Sequence, residues 1–201
     1  MPVPFPPRRR VLALGAAALV LGVGACSRAH VFHGVDITGV PYASGFDLTD
    51  FNGRRRSLAD FAGKAVVVYF GYTQCPDVCP QALQVMNSAL DLLGDKARDV
   101  QFLFVTVDPQ RDTPAILKAY VTGFNPSFLA LTGTPAQIDR TARDFKVYFK
   151  KAPGATPGSY TVDHTAAFFL FDPKGRVRVY EPEGIKPREL ADDLRALIDG
   201  H

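Results

Sequence analysis

Residues 65–72, AVVVYFGY, form an unbroken apolar run of β-branched and aromatic side chains. A strand with water on one face alternates polar and apolar residues. This one does not, so it is expected to be buried on both faces, with a layer of structure above it and another below. A second such run, VQFLFVTVD at 100–108, follows PQALQVMNSALDLLG at 80–94. In that intervening stretch Ala82, Leu83, Met86, Leu90 and Leu93 recur at helical spacing and Gly94 supplies a stop. Strand, helix and strand in this order predict an α/β domain built on a parallel pair.

The remaining elements extend this unit in both directions. FDLTD (46–50) and RRSL (55–58) flank Asn52-Gly53 and predict a short hairpin. Thr113 can cap a helix with Pro114 at its first position, running to about Thr122. FLALTG (128–133) reads as a short strand and TPAQIDRTARDF (134–145) as another capped helix. AAFFLFD (166–172), Gly175 and RVRVYE (176–181) predict a hairpin, and KPRELADDLRALIDG (186–200) a closing amphipathic helix. KAPGATPGSY (151–160) reads as a long irregular loop. The order resembles that of the thioredoxin-like fold, a three-layer α/β/α arrangement, here with an N-terminal β-hairpin extension and occupying residues 45–201.

The first 25 residues carry a different message. Arg8, Arg9 and Arg10 precede VLALGAAALVLGVGA (11–25), which has no charged or polar side chain, and this is the pattern of a secretory signal. The run is short for a membrane span of roughly 20 apolar residues. It ends on VGAC, which resembles a bacterial lipoprotein cleavage box with Cys26 as the lipid-bearing residue; an uncleaved anchor helix is the alternative. Both readings place the domain outside the cytoplasm, in the bacterial cell envelope on the periplasmic side, beside what is expected to be the inner membrane. Residues 26–44 are polar and Gly-containing and read as a tether, in which His30 and His33 are expected to be solvated rather than metal-bound. The three arginines account for the whole net charge of +3. The folded part is formally neutral, and nothing in it points to nucleic acid.

Cys75 and Cys79, in GYTQCPDVCPQAL (71–83), lie where the first buried strand ends and a helix begins. A helix N-terminus favours negative charge, so a thiolate there is stabilised. The two cysteines are one turn apart, with Cα atoms about 6 Å from each other, near enough for a disulfide. The spacing alone leaves a staple, a redox couple and a pair of metal ligands all open. Thiol oxidoreductases of the thioredoxin class carry two residues between their cysteines, whereas CPDVC has three. They also resemble one another in a proline facing the pair, and here YTVDHTAAFFLF (160–171) has Asp163 and His164 at that place. His164 is therefore expected to face Cys75 and Cys79.

With these residues in view, GYTQCPDVCPQAL, VTVDPQRDTP (105–114) and VDHTAAFFLFDPKG (162–175) resemble the three signature blocks of the SCO/SenC copper chaperones, over about residues 45–200. The resemblance implies copper held by Cys75, Cys79 and His164, and a role in building the dinuclear copper centre of cytochrome c oxidase subunit II. It also implies a copper donor in the periplasm and a thioredoxin-like reductant as partners. The chemistry agrees: soft thiolates favour Cu(I), an added imidazole accommodates Cu(II), and a closed zinc site wants four protein ligands. In an oxidising compartment the metal-free pair is expected to form a Cys75–Cys79 disulfide.

Other residues carry alternatives. Asp77 and Pro80 are expected to shape the turn, with Asp77 also a candidate neighbour of the ligands. Asp163 either accepts a hydrogen bond that orients His164 or caps its loop. Asp108, Pro109 and Asp112 suit a loop and capping role, and Tyr72 and Phe70 are expected to keep water from the site. Three function classes follow: copper delivery, a thiol–disulfide reductase that uses the cysteines without His164, and a peroxidase-like thiol enzyme. The last needs an activating group that this Trp-free chain does not display.

Overall fold

A computed structural model describes residues 30–201, together with Met1. In chain order the strands and helices are β1 (Val35–Asp36), β2 (Leu48–Asp50), β3 (Arg55–Arg56), β4 (Ala65–Gly71), α1 (Val78–Leu93) and β5 (Val100–Thr106). They continue as α2 (Pro114–Phe124), β6 (Leu129–Thr132), α3 (Pro135–Asp144), β7 (Phe149–Pro153), β8 (Tyr160–His164), β9 (Ala167–Phe171), β10 (Val177–Pro182) and α4 (Pro187–Ile198). Eight strands form one sheet in the order β1-β10-β9-β4-β5-β6-β2-β3. The central strands β4, β5 and β6 are parallel, and β9 runs antiparallel to β4.

Every residue of β4 is buried, as its uninterrupted apolar run predicts. Successive side chains point to opposite faces, and each face has its own cover. Tyr69 shares a face with Phe104, Phe168 and α1, and on that face Phe104 meets Tyr120 of α2. The two right-handed crossovers β4-α1-β5 and β5-α2-β6 advance in the same direction, which puts α1 and α2 on one side; α4 packs against α1 there. Phe70 and Phe169 point the other way, against Phe145 at the end of α3, with ring centroids 5.1 and 5.2 Å away. The result is the three-layer α/β/α arrangement of a thioredoxin-like fold.

The helix ends follow their local chemistry. Thr113 accepts a hydrogen bond from the Ile116 amide, and Thr134 with Gln137 forms a reciprocal cap; each helix then begins with proline. Helix α1 starts at Val78, two residues before the expected start, so Cys79 sits inside its first turn. Its buried stripe is Cys79, Leu83, Met86, Ala89, Leu90 and Leu93.

Two regions differ from the sequence expectation. Part of the expected tether belongs to the folded body: Phe32, Ile37 and Ala43 are buried, and β1 pairs with β10. The cause is Asp193 of α4, whose carboxylate accepts hydrogen bonds from the backbone N–H groups of His33 and Gly34. His30 and His33 are exposed and join no metal-ligating group among the described residues. The second difference is the expected loop at 151–160, whose two ends belong to β7 and β8; these pair antiparallel as a separate two-stranded sheet. The signal segment 1–25 and the lipidation candidate Cys26 lie outside the described residues.

Candidate metal centre

The site assembles where β4 runs out. Gly71 ends the strand, and the following loop is tied down by Asp112: Thr73 donates to that carboxylate from both its amide and its hydroxyl, and the Thr106 hydroxyl donates to it as well. Asp112 is thus a fastening for the cysteine loop, more than the capping group its sequence position suggested. Cys75 follows, its amide donating to the Tyr72 carbonyl. One turn later the Cys79 amide, at the N-terminus of α1, points at the Cys75 sulfur, 3.4 Å away. The chain at Gly71 passes so close to these groups that a Cβ there would lie 2.8 Å from the Cys79 sulfur and 2.8 Å from the Phe104 ring. Glycine is required at that position for space rather than for backbone conformation.

His164 arrives from the other sheet, as the last residue of β8. Its Nε2 is 3.3 Å from the Cys79 sulfur, and its Nδ1 is 3.1 Å from the Thr165 carbonyl oxygen. A carbonyl can only accept, so Nδ1 carries the ring proton and Nε2 is left with its lone pair directed at the cysteines. This is the tautomer that a metal-ligating imidazole needs. The ring is boxed edge-on by Tyr69 and Tyr72, with centroids 6.2 and 5.8 Å away. The donor atoms of Cys75, Cys79 and His164 all lie within 4.8 Å of one another.

The two thiols are electrostatically unlike. Cys79 donates a hydrogen bond to the Cys75 sulfur, and the backbone amides of Asp77 and Cys79 add to this, so the Cys75 pKa falls to about 4 despite burial. Cys79 is pushed strongly up, because it is the donor to that thiolate and is itself fully buried. One proton is therefore shared between two sulfurs, with Cys75 the anionic partner at neutral pH. The structure holds both cysteines as free thiols.

The sequence candidates around the ligands separate clearly. Asp163 is exposed, and the orienting acceptor for His164 is the Thr165 carbonyl instead. Asp77 is also exposed; its side chain makes no cap to α1 and accepts a hydrogen bond from the Gln81 side-chain Nε2. Tyr72 borders the imidazole as expected, but Phe70 faces α3 on the far side of the sheet, and Tyr69 takes the place beside the ligands. Strand parity gives that signal, since Tyr69 and Gly71 share a face.

A thioredoxin-like domain with two thiols and an imidazole converging at the exit of its first central strand defines a class of thiol-based metal or redox proteins. The chain belongs to the SCO1/SenC family, whose model matches residues 37–199. It is 39% identical over 152 residues to the mitochondrial protein SCO2 homolog of Bos taurus, covering 75% of this chain and 57% of that protein's length. The copper-bound structure of ScoI from Bradyrhizobium japonicum is 40% identical, superposes with a TM-score of 0.69, and covers 76% of this chain and 97% of that one. A SCO1/SenC family lipoprotein from Bacillus anthracis is 28% identical with a TM-score of 0.67, covering 79% of this chain and 96% of its own.

Proposed function

We propose that this protein carries a single copper ion on Cys75, Cys79 and His164 and delivers it to the dinuclear copper centre of cytochrome c oxidase subunit II during assembly. The observation that carries the reading is the convergence of two sulfurs and a correctly protonated imidazole within 4.8 Å. The donor set fits copper: soft thiolates hold Cu(I), and the imidazole extends the set to Cu(II). The Bradyrhizobium japonicum relative with copper bound supports the same cargo. Cys75 offers a ready thiolate, Cys79 must give up its proton on loading, and the Thr165 carbonyl keeps Nε2 free. Residues 1–25 and Cys26 would hold the domain to a membrane on the periplasmic side, a reading supported by the Bacillus anthracis lipoprotein of the family. A copper donor and a thioredoxin-like reductant complete the set of partners this role requires.

The test is an anaerobic copper titration of the reduced protein, wild type against His164→Ala. One copper per chain is expected, with thiolate-to-Cu(II) charge-transfer absorption when Cu(II) is added. An unchanged spectrum and affinity in His164→Ala would remove the imidazole from the site.

A second reading is supported by the inequality of the two thiols. Cys75, as the thiolate, can attack a disulfide in the target, forming a mixed disulfide and releasing one target thiolate. Cys79, losing its proton, then attacks the Cys75 sulfur, freeing the second target thiol and leaving a Cys75–Cys79 disulfide. This reductase would prepare target cysteines for metallation and has no need of His164.

A further inference from the structure

The ligands of this centre come from two different sheets. Cys75 and Cys79 follow β4 of the eight-stranded sheet, whereas His164 ends a hairpin whose strands pair only with each other among the described strands. We propose that Arg111 is the positioning residue that locks this hairpin onto the cysteine loop and so sets where His164 stands; the proposal rests on the three-ligand copper reading.

Arg111 touches both sides of the joint. Its Nη1 donates to the carbonyl of Tyr160, the first residue of β8, at 2.9 Å, and to the side-chain oxygen of Gln74, the residue before Cys75, at 3.0 Å. Its Nε is paired with Asp108, whose side chain is fully buried. The guanidinium lies over the Tyr160 ring, 3.6 Å from the centroid, and 5.6 Å from that of Tyr72. The Tyr160 hydroxyl returns to the same Asp108 carboxylate at 3.0 Å. Tyr72, in turn, meets the His164 imidazole edge-on.

Geometry makes arginine the residue for this place. The guanidinium is a rigid planar fork, so donating in its plane to Asp108, Gln74 and Tyr160 while stacking on a ring fixes its orientation as well as its position. A lysine in the same place supplies a point charge and no plane. The hairpin's strands pair only with each other, and its remaining ties to the body are side-chain contacts such as Lys151 to Gln110 and the buried Val162, so freedom gained at Tyr160 passes along β8 to His164.

The proposal is tested first without copper, by nuclear Overhauser contacts between the His164 ring and the rings of Tyr69 and Tyr72 in the reduced protein. Arg111→Ala is expected to weaken these contacts while the β4 and β5 amides stay protected from exchange. Copper affinity should fall about tenfold, by analogy with loss of a group that orients a ligand, and Arg111→Ala should cost nothing further in a His164→Ala background. Unchanged ring contacts, or an equal affinity loss in both backgrounds, would overturn the proposal. Arg111→Lys is expected to behave like Arg111→Ala; full recovery of the contacts would show that charge alone suffices. Should Arg111→Ala not fold, Tyr160→Leu removes the stacked partner and is read by the same contacts and the same cycle. If the wild type binds no copper, the copper reading falls, and the ring contacts still decide the role of Arg111.

Discussion

The Nε2 of His164 stands 3.3 Å from the sulfur of Cys79 across 85 residues of chain. That contact brings together two halves of the site that the chain positions separately, since the cysteines are already aligned by a single helical turn. Copper loading therefore needs His164 as well as the cysteines, whereas thiol exchange needs the cysteines alone, and this difference makes the two distinguishable.

His164→Ala should retain dithiol–disulfide exchange with a small disulfide substrate, because Cys75 and Cys79 supply attacker and resolver without it. Its copper affinity should fall by at least about a factor of ten, reasoning from the loss seen when even an orienting partner is removed. In cells at limiting copper it should fail to restore cytochrome oxidase, with partial rescue by added copper. Full complementation at low copper would put the reductase reading first.

Thiol chemistry should be strongly asymmetric in pH. With its pKa near 4, Cys75 is already a thiolate at pH 5, and its alkylation rate should change little from pH 5 to pH 8. Cys79, fully buried and with its pKa raised, should stay unmodified in the folded protein. Oxidation to the Cys75–Cys79 disulfide removes both thiolates and should abolish tight copper binding. Mass mapping of alkylated cysteines and titration of the oxidised protein check the two halves of this expectation.

Gly71→Ala should disturb the site without touching a ligand. The added methyl would press on the Cys79 sulfur and the Phe104 ring, both buried, and overpacking of this kind costs about 1–3 kcal/mol. Urea unfolding should show a lower midpoint. The same variant should bind copper less tightly, because Cys79 has to shift.

A buried acid pair gives stability its own pH dependence. Glu181 and Asp193 are both fully buried, and burial first, then the Asp193 carboxylate beside it, raises the Glu181 pKa from 4.5 to about 9. Lys186 and His33 lie near Glu189 on the same flank, whose charge also raises it. The folded state thus holds a proton that the unfolded chain releases above about 4.5, so this group's contribution is complete below pH 4.5 and is lost as pH rises through 9. Urea midpoints at pH 5, 7 and 9 should decline in the wild type and flatten in Glu181→Gln. Amide exchange at Gly34, whose N–H is held by Asp193, should quicken over the same range.

The mature N-terminus should be an acylated Cys26, seen by mass spectrometry of protein taken from membranes. An intact Met1 start on membrane-bound protein would establish the uncleaved anchor instead.

The parts of this structure that were legible in the sequence are those whose residues explain themselves locally. The apolar run of β4, the Thr113 and Thr134 caps, and the cysteine spacing each need only their neighbours to be read. The β7–β8 hairpin escaped because its strands face water: Lys150 and Lys151 sit in β7, Pro153 ends it, and little is buried to impose a period. The segment around His33 read as a tether because what holds it, Asp193, lies 160 residues away. The partner of the imidazole proton escaped for a different reason. It is the Thr165 backbone carbonyl, and any residue could have supplied it.

The docking of residues 32–37 also sets a leash length. If Cys26 bears the lipid, it lies only six positions before Phe32, the first buried position among the described residues, and an extended chain reaches no more than about 3.5 Å per residue. The globule would then hang within about 20 Å of its anchor rather than the about 60 Å that a free segment running to residue 44 would permit. A partner fixed in the same bilayer would meet the site at high effective concentration, whereas soluble thiols would gain nothing from that proximity.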